Sequence, residues 1–332
     1  MLKRNTVTSM NNQKKALITG CFGQDGSLLS KSLLSKNYKV IGTTRGNIEN
    51  HKNAQKIGVD KDITIEICDL RNYEALEKII SNYMPDEIYH LACQSSVGKS
   101  YIYPLSTIDS IINGSLNILE ICRKINYQGK IFCAGSSEIF GETKDPASIH
   151  DPQDPRNPYA IGKQASFNLV KMYRNLYNLK CSTGVLFNHE SGTRNTNFVT
   201  SKIINGAIKS VKDKNYKLEL GNINISRDWG WAAEYVEAMQ LINNKKIPKD
   251  YIICTGKLTS LKEFLEITFS KFNLDYRNHV ISTSKFSRNS DIMTSLGNPN
   301  ELYEDLNWKA QTNIDQIIEK MIEIKLRNIK TN

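Results

Sequence analysis

The chain has 332 residues, 39% of them hydrophobic and 23% charged, with 44 Lys and Arg against 34 Asp and Glu for a net charge of +10. At roughly 150 residues per domain this suits one large or two intimate domains, and the balance is that of an ordinary globular protein rather than a disordered or collagen-like one. No apolar run nears the roughly 18 residues of a membrane helix, and the start, MLKRNTVTSMNNQKK, is basic with no apolar stretch, so neither a membrane span nor a secretory signal is expected.

In chain order, residues 1–13 read as a disordered lead-in and Ala16–Thr19 as a buried strand. Thr19-Gly20-Cys21-Phe22-Gly23-Gln24-Asp25-Gly26 follows, a TGxxGxxG, and then a helix from about Asp25 to Ser35. Between a strand and a helix this spacing has a physical purpose. Gly20 permits the tight turn, Gly23 lets the backbone approach a pyrophosphate, and Gly26 lets the helix pack on the strand. The helix N-terminus then offers N–H groups and positive potential to phosphates. Lys39–Ile41 reads as the next strand, with Arg45 beyond it. An acidic residue there would hold the ribose 2′-OH of NAD, whereas an arginine suits the 2′-phosphate of NADP; NADP is expected, with NAD as the alternative.

Thr64–Ile67 and Glu87–His90 read as strands around a helix at Tyr73–Ser81. Asp69 and Leu70 follow the first of them, where they could cap an adenine. Leu91, Ala92, Gln94 and Ser96 follow the second, where small side chains let a dinucleotide lie close. A long helix is expected over Leu105–Ile125, then a strand, Lys130–Cys133. Gly135-Ser136-Ser137-Glu138 leaves the C-terminal end of that strand, the edge where open α/β sheets bind ligands. There Ser136 can hydrogen-bond a reacting hydroxyl and Glu138 can act as base and acid, unless the segment is only a Ser/Gly turn with a surface glutamate.

An Asp- and Pro-rich loop over 145–158 leads to a helix over Tyr159–Tyr177. Among the 15 tyrosines only Tyr159 has lysine four residues on, at Lys163. On a helix those two share a face, and an ammonium beside a phenol favours the phenolate, which would lower the tyrosine pKa towards working pH. The rest of the chain is more broken, with a strand near Ser182–Phe187 and helices at Trp231–Asn243, Leu261–Phe272 and Ile314–Ile324. Strands alternating with helices imply a doubly wound parallel sheet, here an NAD(P)-binding Rossmann fold with a smaller mixed α/β substrate lobe. The expected division is 14–187 for the dinucleotide part and 188–332 for the lobe, with return segments at about 222–256.

The remaining features are bland. The 7 cysteines are scattered without a CxxC pair, as small core residues in a reducing cytoplasm would be, and the 5 histidines show no ligand spacing, so no metal is expected. Basic residues are spread out without interleaved aromatics. That argues for a solvated surface, not nucleic-acid binding, and favours a diphosphate substrate.

Together these segments resemble the extended short-chain dehydrogenase/reductase family, and within it the GDP-mannose 4,6-dehydratases, from about residue 14 to 326. LITGCFGQDGS at 17–27, LACQSSV at 91–97, NPYAIGK at 157–163, LFNHES at 186–191, NFVTSKI at 197–203, GNINISRDWGWAAEYVEAM at 221–239 and LGNPNELYEDLNWK at 296–309 carry the likeness. The resemblance implies catalysis by Ser136, Glu138, Tyr159 and Lys163. It implies dinucleotide contacts at Thr19, Gln24, Asp25, Leu186, Asn188, His189 and Arg194 besides those above. For a GDP-sugar it implies contacts at Ser96, Ser137, Asn188, Asn197, Val199, Lys202, Arg227 and Arg288. It also implies a homodimer or homotetramer paired through the two long helices.

This sequence departs from the family pattern in several places. Ser136 replaces a threonine, Ser137 stands where some relatives carry an aspartic acid, and CQSSV replaces AQSHV. The arginine-rich stretch after the second strand is shortened to TTRGNIENHK, and the paired arginines after NHES become Gly192-Thr193-Arg194-Asn195. A GDP-manno-heptose in place of GDP-mannose stays open on those grounds, as do a sugar-nucleotide reductase or epimerase and a non-catalytic NADP-sensing protein.

Overall fold

The structure, a computed structural model, describes residues 13–46, 51–283 and 292–330. Its first strand, β1 (Lys15–Thr19), leads through a four-residue glycine turn into α1 (Gln24–Ser35). There follow β2 (Lys39–Thr44), α2 (His51–Ile57), β3 (Thr64–Ile67), α3 (Tyr73–Tyr83), β4 (Glu87–His90), α4 (Val97–Ile102), α5 (Pro104–Lys124) and β5 (Lys130–Ala134). A single 3-10 turn, Ser137–Phe140, precedes α6 (Pro158–Tyr177) and β6 (Cys181–Leu186). The later elements are β7 (Asn188–Glu190), α7 (Val199–Lys212), β8 (Leu218–Leu220), β9 (Ser226–Trp231), α8 (Ala232–Asn244), β10 (Tyr251–Ile253), β11 (Leu258–Ser260), α9 (Leu261–Ser270), β12 (Val280–Ser282), β13 (Thr294–Ser295), α10 (Asn300–Leu306) and α11 (Ile314–Lys330).

Seven strands form one sheet in the order β10-β6-β5-β4-β1-β2-β3, with every pair parallel. Alternate residues of β1 serve opposite faces. Ile18 packs with Leu29, Leu33, Val236 and Met239 under α1 and α8, whereas Leu17 packs with Ile41, Ile118, Leu119 and Val170 under α5 and α6. Both faces are covered, so the strands read as continuous apolar runs. The chain order reverses between β1 and β4, which opens a crevice at their C-terminal ends.

Four strands form a second sheet, β11-β9-β13 with β7 also on β9, and β12 pairs with β8. Trp229, Phe264, Phe269, Ile204, Ile317 and Met321 make its core. The fold expected from the sequence is thus present, with differences in detail. α2 and α4, of 7 and 6 residues, are too short to display a helical period. α7 shows in the sequence only as a motif: its apolar stripe, Ile203, Ile204, Ala207 and Ile208, is mostly β-branched and lies among Thr, Ser, Asn and Gly, which blurs the pattern. α11 extends to Lys330 rather than stopping at Ile324.

Candidate active site and dinucleotide crevice

The turn after β1 is built for close approach. Gly20 has φ +72°, and a Cβ on it would lie 2.9 Å from Ala92 Cα; on Gly26 it would lie 2.2 Å from Gly20 O. The helix therefore rests on the turn, and the turn rests on the segment after β4, as the glycine spacing requires. At Gly23 the only heavy atom near a Cβ would be Gly20 O, at 3.2 Å. Gly23 is also the N-cap of α1 and brings no side-chain hydrogen bond to the helix start. A cradle whose glycines pack backbone on backbone, at an uncapped helix N-terminus, fits a dinucleotide diphosphate. Among the described residues no acidic, histidine or cysteine cluster could hold a metal ion, and no helix is long and apolar enough to cross a membrane.

Some residues expected to face the cofactor are engaged within the protein. Thr19 is fully buried, and its hydroxyl accepts hydrogen bonds from Leu91 N and Ala92 N, both at 3.2 Å, and meets His90 Nδ1 at 2.9 Å. It locks β1 to β4. Leu70 belongs to the core, and its carbonyl accepts from Asn117 Nδ2 at 2.8 Å, so its side chain is not available to an adenine. Asp69 accepts from Arg71 Nη2 at 2.7 Å, and that bond, helped by the nearby Arg45, holds its carboxyl down at about 2. Gln94 folds its amide onto the backbone of Ser96, and Ser96 caps α4 by accepting from Lys99 N at 3.3 Å. Leu186 closes β6 as a buried side chain.

At the end of β5 the reacting groups converge. A Cβ on Gly135 would come within 2.8 Å of Thr183 Cγ2, so the turn lies tight against β6. Ser136 then caps the 3-10 turn, accepting from Glu138 N at 3.3 Å, with its hydroxyl near enough to the Tyr159 phenol to favour the phenolate. Ser137 is buried within the same turn. Asn157 and Pro158 start α6, the asparagine accepting from Ala160 N at 2.8 Å. Tyr159 and Lys163 follow one turn apart, with the Lys163 ammonium 5.9 Å from the Tyr159 ring centre and donating to Ala134 O at 2.7 Å. The Glu138 carboxylate accepts from Asn157 Nδ2 at 2.8 Å.

Electrostatics here differ from the sequence expectation in one respect. Burial raises the Tyr159 phenol to about 12, although the Lys163 ammonium and the nearby Ser136 hydroxyl both pull it down. The ammonium favours the phenolate, as expected, but a side chain only 7% exposed pays more for desolvation than one cation returns. Burial also works against the Lys163 ammonium, yet the Cys93 thiol and the Tyr159 phenol together hold its pKa above the usual lysine value. By sequence alone Cys93 reads as one more core thiol. Only its position just after β4, at the C-terminal end of the sheet, could flag it.

Comparison with known proteins decides the family. Residues 17–321 match the family described as GDP-mannose 4,6 dehydratase. GDP-mannose 4,6 dehydratase 1 of Arabidopsis thaliana is 36% identical, over 96% of this chain and 91% of its own length. The human GDP-mannose 4,6 dehydratase is 34% identical over 96% and 92%. The chain belongs to the GDP-mannose 4,6-dehydratase family. The fold is shared more widely: DesIV, a dTDP-glucose 4,6-dehydratase from Streptomyces venezuelae solved with NAD and TYD bound, superposes with a TM-score of 0.85 at 18% identity, over 96% of this chain and 98% of that one. A Thermus thermophilus UDP-glucose 4-epimerase in complex with NAD gives 0.83 at 23% identity, over 93% and 98%. The family uses a nicotinamide dinucleotide.

Of the residues expected to contact a substrate, Asn188 and Arg227 lie in the second sheet, and Asn197, Val199 and Lys202 lie beside or in α7. Asn188 opens β7, in register with Trp229 of β9. Asn197 is exposed, and Val199 is the first residue of α7, whose N-cap, Phe198, brings no side-chain bond; Lys202 lies one turn further. Arg227, buried in β9, donates from Nη1 to Ser226 O at 2.8 Å. Arg288 lies outside the described residues. Gln24, Asp25, His189 and Arg194 form a knot between α1 and β7. His189 meets Asp25 through Nε2 at 3.0 Å and Phe187 O through Nδ1 at 2.7 Å, Gln24 Nε2 donates to His189 O at 3.1 Å, and Arg194 pairs with Glu190 at 3.3 Å and lies over the Phe198 ring. Nothing in the spacing of these residues signals that they bind each other.

Proposed function

We propose that the chain dehydrates a GDP-sugar, GDP-mannose or a close relative, to a GDP-4-keto-6-deoxy sugar, with NADP as its dinucleotide. The observation that carries this is the placing of a carboxylate, Glu138, against the Tyr159–Lys163 pair. Tyrosine, lysine and a hydroxyl suffice to oxidise an alcohol; a dehydration also needs a group to move a carbon-bound proton. The bound dinucleotide supplies a reversible store for the hydride that leaves C4 and returns at C6. Gly20, Gly23, Gly26 and the start of α1 would hold its diphosphate, and Arg45 its 2′-phosphate.

The side chains divide the remaining work. Ser136 holds the sugar O4 hydroxyl, and the Tyr159 phenolate takes its proton as C4 is oxidised. Lys163 stabilises that phenolate. The new C4 ketone acidifies C5–H, which the Glu138 carboxylate removes. The protonated Glu138 then gives its proton to the C6 oxygen as water departs; when hydride returns at C6, C5 takes a proton drawn from solvent through Glu138, and Tyr159 releases to solvent the proton it took from O4, which restores the phenolate. The sum is loss of one water with no net redox change. Lys202, Arg227 and the N-terminus of α7 suit the GDP diphosphate.

The test is incubation with GDP-mannose and with GDP-manno-heptose, without added reductant, and a search by mass for loss of water. No product from either, with the protein folded and the dinucleotide bound, would overturn the reading. Glu138→Gln should stall after oxidation and accumulate reduced nicotinamide; normal turnover would remove Glu138 from its role. The heptose arm rests on the altered segment Gly192-Thr193-Arg194-Asn195. We also propose a homodimer or homotetramer, supported by apolar side chains exposed along α5 and α6: Leu105 at 85%, Leu176 at 66%, Ile161 and Tyr177 at 45%.

A further inference from the structure

We propose that Asn157 is a positioning residue for the second half-reaction, holding the Glu138 carboxylate in register with Tyr159. The inference rests on the reading of Glu138 as the C5 base. Asn157 is 3% exposed and uses both ends of its amide. Its Oδ1 accepts from Ala160 N at 2.8 Å, and its Nδ2 donates to Glu138 Oε2 at 2.8 Å. The amide orientation is settled by chemistry, because a backbone N–H needs the oxygen and a carboxylate needs the NH₂. One planar group therefore spans the cap of α6 and the carboxylate on the turn after β5, and Tyr159 is two residues beyond it.

The rest of the turn fixes the Glu138 backbone but not its carboxylate. Glu138 N is bonded to Ser136 Oγ, Glu138 O accepts from Gly141 N at 3.3 Å, and Ile139 O accepts from Asp154 N at 2.9 Å. Among the described residues, Asn157 supplies the side-chain hydrogen bond to that carboxylate. It engages Oε2 and leaves Oε1 for the substrate. A flexible glutamate held this way loses its rotamer freedom before substrate arrives rather than during the proton transfer. A neutral amide also suits this role, since a cation in its place would draw basicity from a group that must accept a proton.

Two substitutions separate positioning from capping. Asn157→Ser keeps a good N-cap but is too short to reach Glu138. Asn157→Asp keeps the cap and the size, and presents an acceptor where Glu138 needs a donor. The direct readout is exchange of the C5 hydrogen of the GDP-4-keto-6-deoxy product in D₂O, followed by mass, since that exchange needs the base and no hydride transfer. In turnover, reduced nicotinamide is followed by its absorbance.

Both variants should take up hydride normally, and exchange should slow roughly tenfold or more, the loss expected for a hydrogen bond to a charged group. Lowering the pH should partly restore exchange in Asn157→Asp, as its new carboxyl becomes a donor. Adding Asn157→Ser to Glu138→Gln should cost nothing further. Exchange within about twofold of wild type in Asn157→Ser, or a full additional loss in the double variant, would overturn the proposal. Unchanged exchange in Glu138→Gln alone would instead remove the base assignment on which it rests.

Discussion

Tyr159 must give up a proton from a site that holds it at about 12, so the charge of Lys163 is the lever on the first half-step. Replacing Lys163 by Met should therefore do more than slow the enzyme. Hydride uptake requires the phenolate, so its rate should rise with pH in wild type, and in Lys163→Met the same rise should move to higher pH, read from single-turnover rates across a pH series. At the other end of the crevice, Arg45→Asp should reverse the dinucleotide preference, so that NAD rather than NADP gives the larger rise in melting temperature. Tyr159, Lys163, Ser136 and Glu138 are legible in the sequence because residue type, spacing and the end of a strand coincide. Asn157 is legible only as a cap. Its second bond crosses from α6 to the turn after β5, and no local pattern records that contact. Thr19 and Leu70 stand at the right places for a ligand and turn inward, because a hydroxyl between two strands and a leucine under α5 meet stronger partners inside.

Between elements, the Asp25–His189 pair joins α1 to β7. Both imidazole nitrogens face acceptors, Asp25 and Phe187 O, and only the imidazolium can donate to both. Burial opposes that charge, but Asp25 outweighs it and raises His189 above 6.5, while burial of Asp25 is outweighed by His189, which lowers it below 3.8. The histidine's contribution to stability is complete below 6.5 and fades as pH rises through its raised folded value. That of the aspartate is complete above 3.8 and fades as pH falls through its lowered one. His189→Gln should thus cost most melting temperature between those limits, and the gap from wild type should narrow in alkaline buffer. The glycine turn makes a harsher demand: Gly26→Ala should destabilise by about 1–3 kcal/mol or more in urea unfolding, because the atoms it would strike are backbone. The alternation of β1 to β6 with helices is plain in the sequence where the elements are long, as at α1, α3, α5 and α6, and not at α2 and α4. α7 is not plain, and neither is the second sheet, whose strands around the six-residue β9 have only two or three residues and are defined by partners far along the chain.

For the molecule as a whole, the apolar residues along α5 and α6 predict self-association: Leu176→Glu should lower the mass seen by sedimentation without unfolding the chain. The connection of the late chain to the early chain has another outcome. Glu142, just past the turn of Glu138, accepts from Met293 N and Thr294 N, both at 2.7 Å, and Ala147 N donates to Leu296 O at 2.9 Å. The loop behind the carboxylate is thus held by residues 151 and 152 positions further along the chain. A nascent chain on the ribosome can contain all seven strands of the parallel sheet and all four residues assigned to the reaction while this brace is still missing. A chain ending before residue 292 would lose this brace together with Leu302, Trp308, Ile317 and Met321 of the two cores, so the seating of Glu138 and the closing of both cores depend on the same segment.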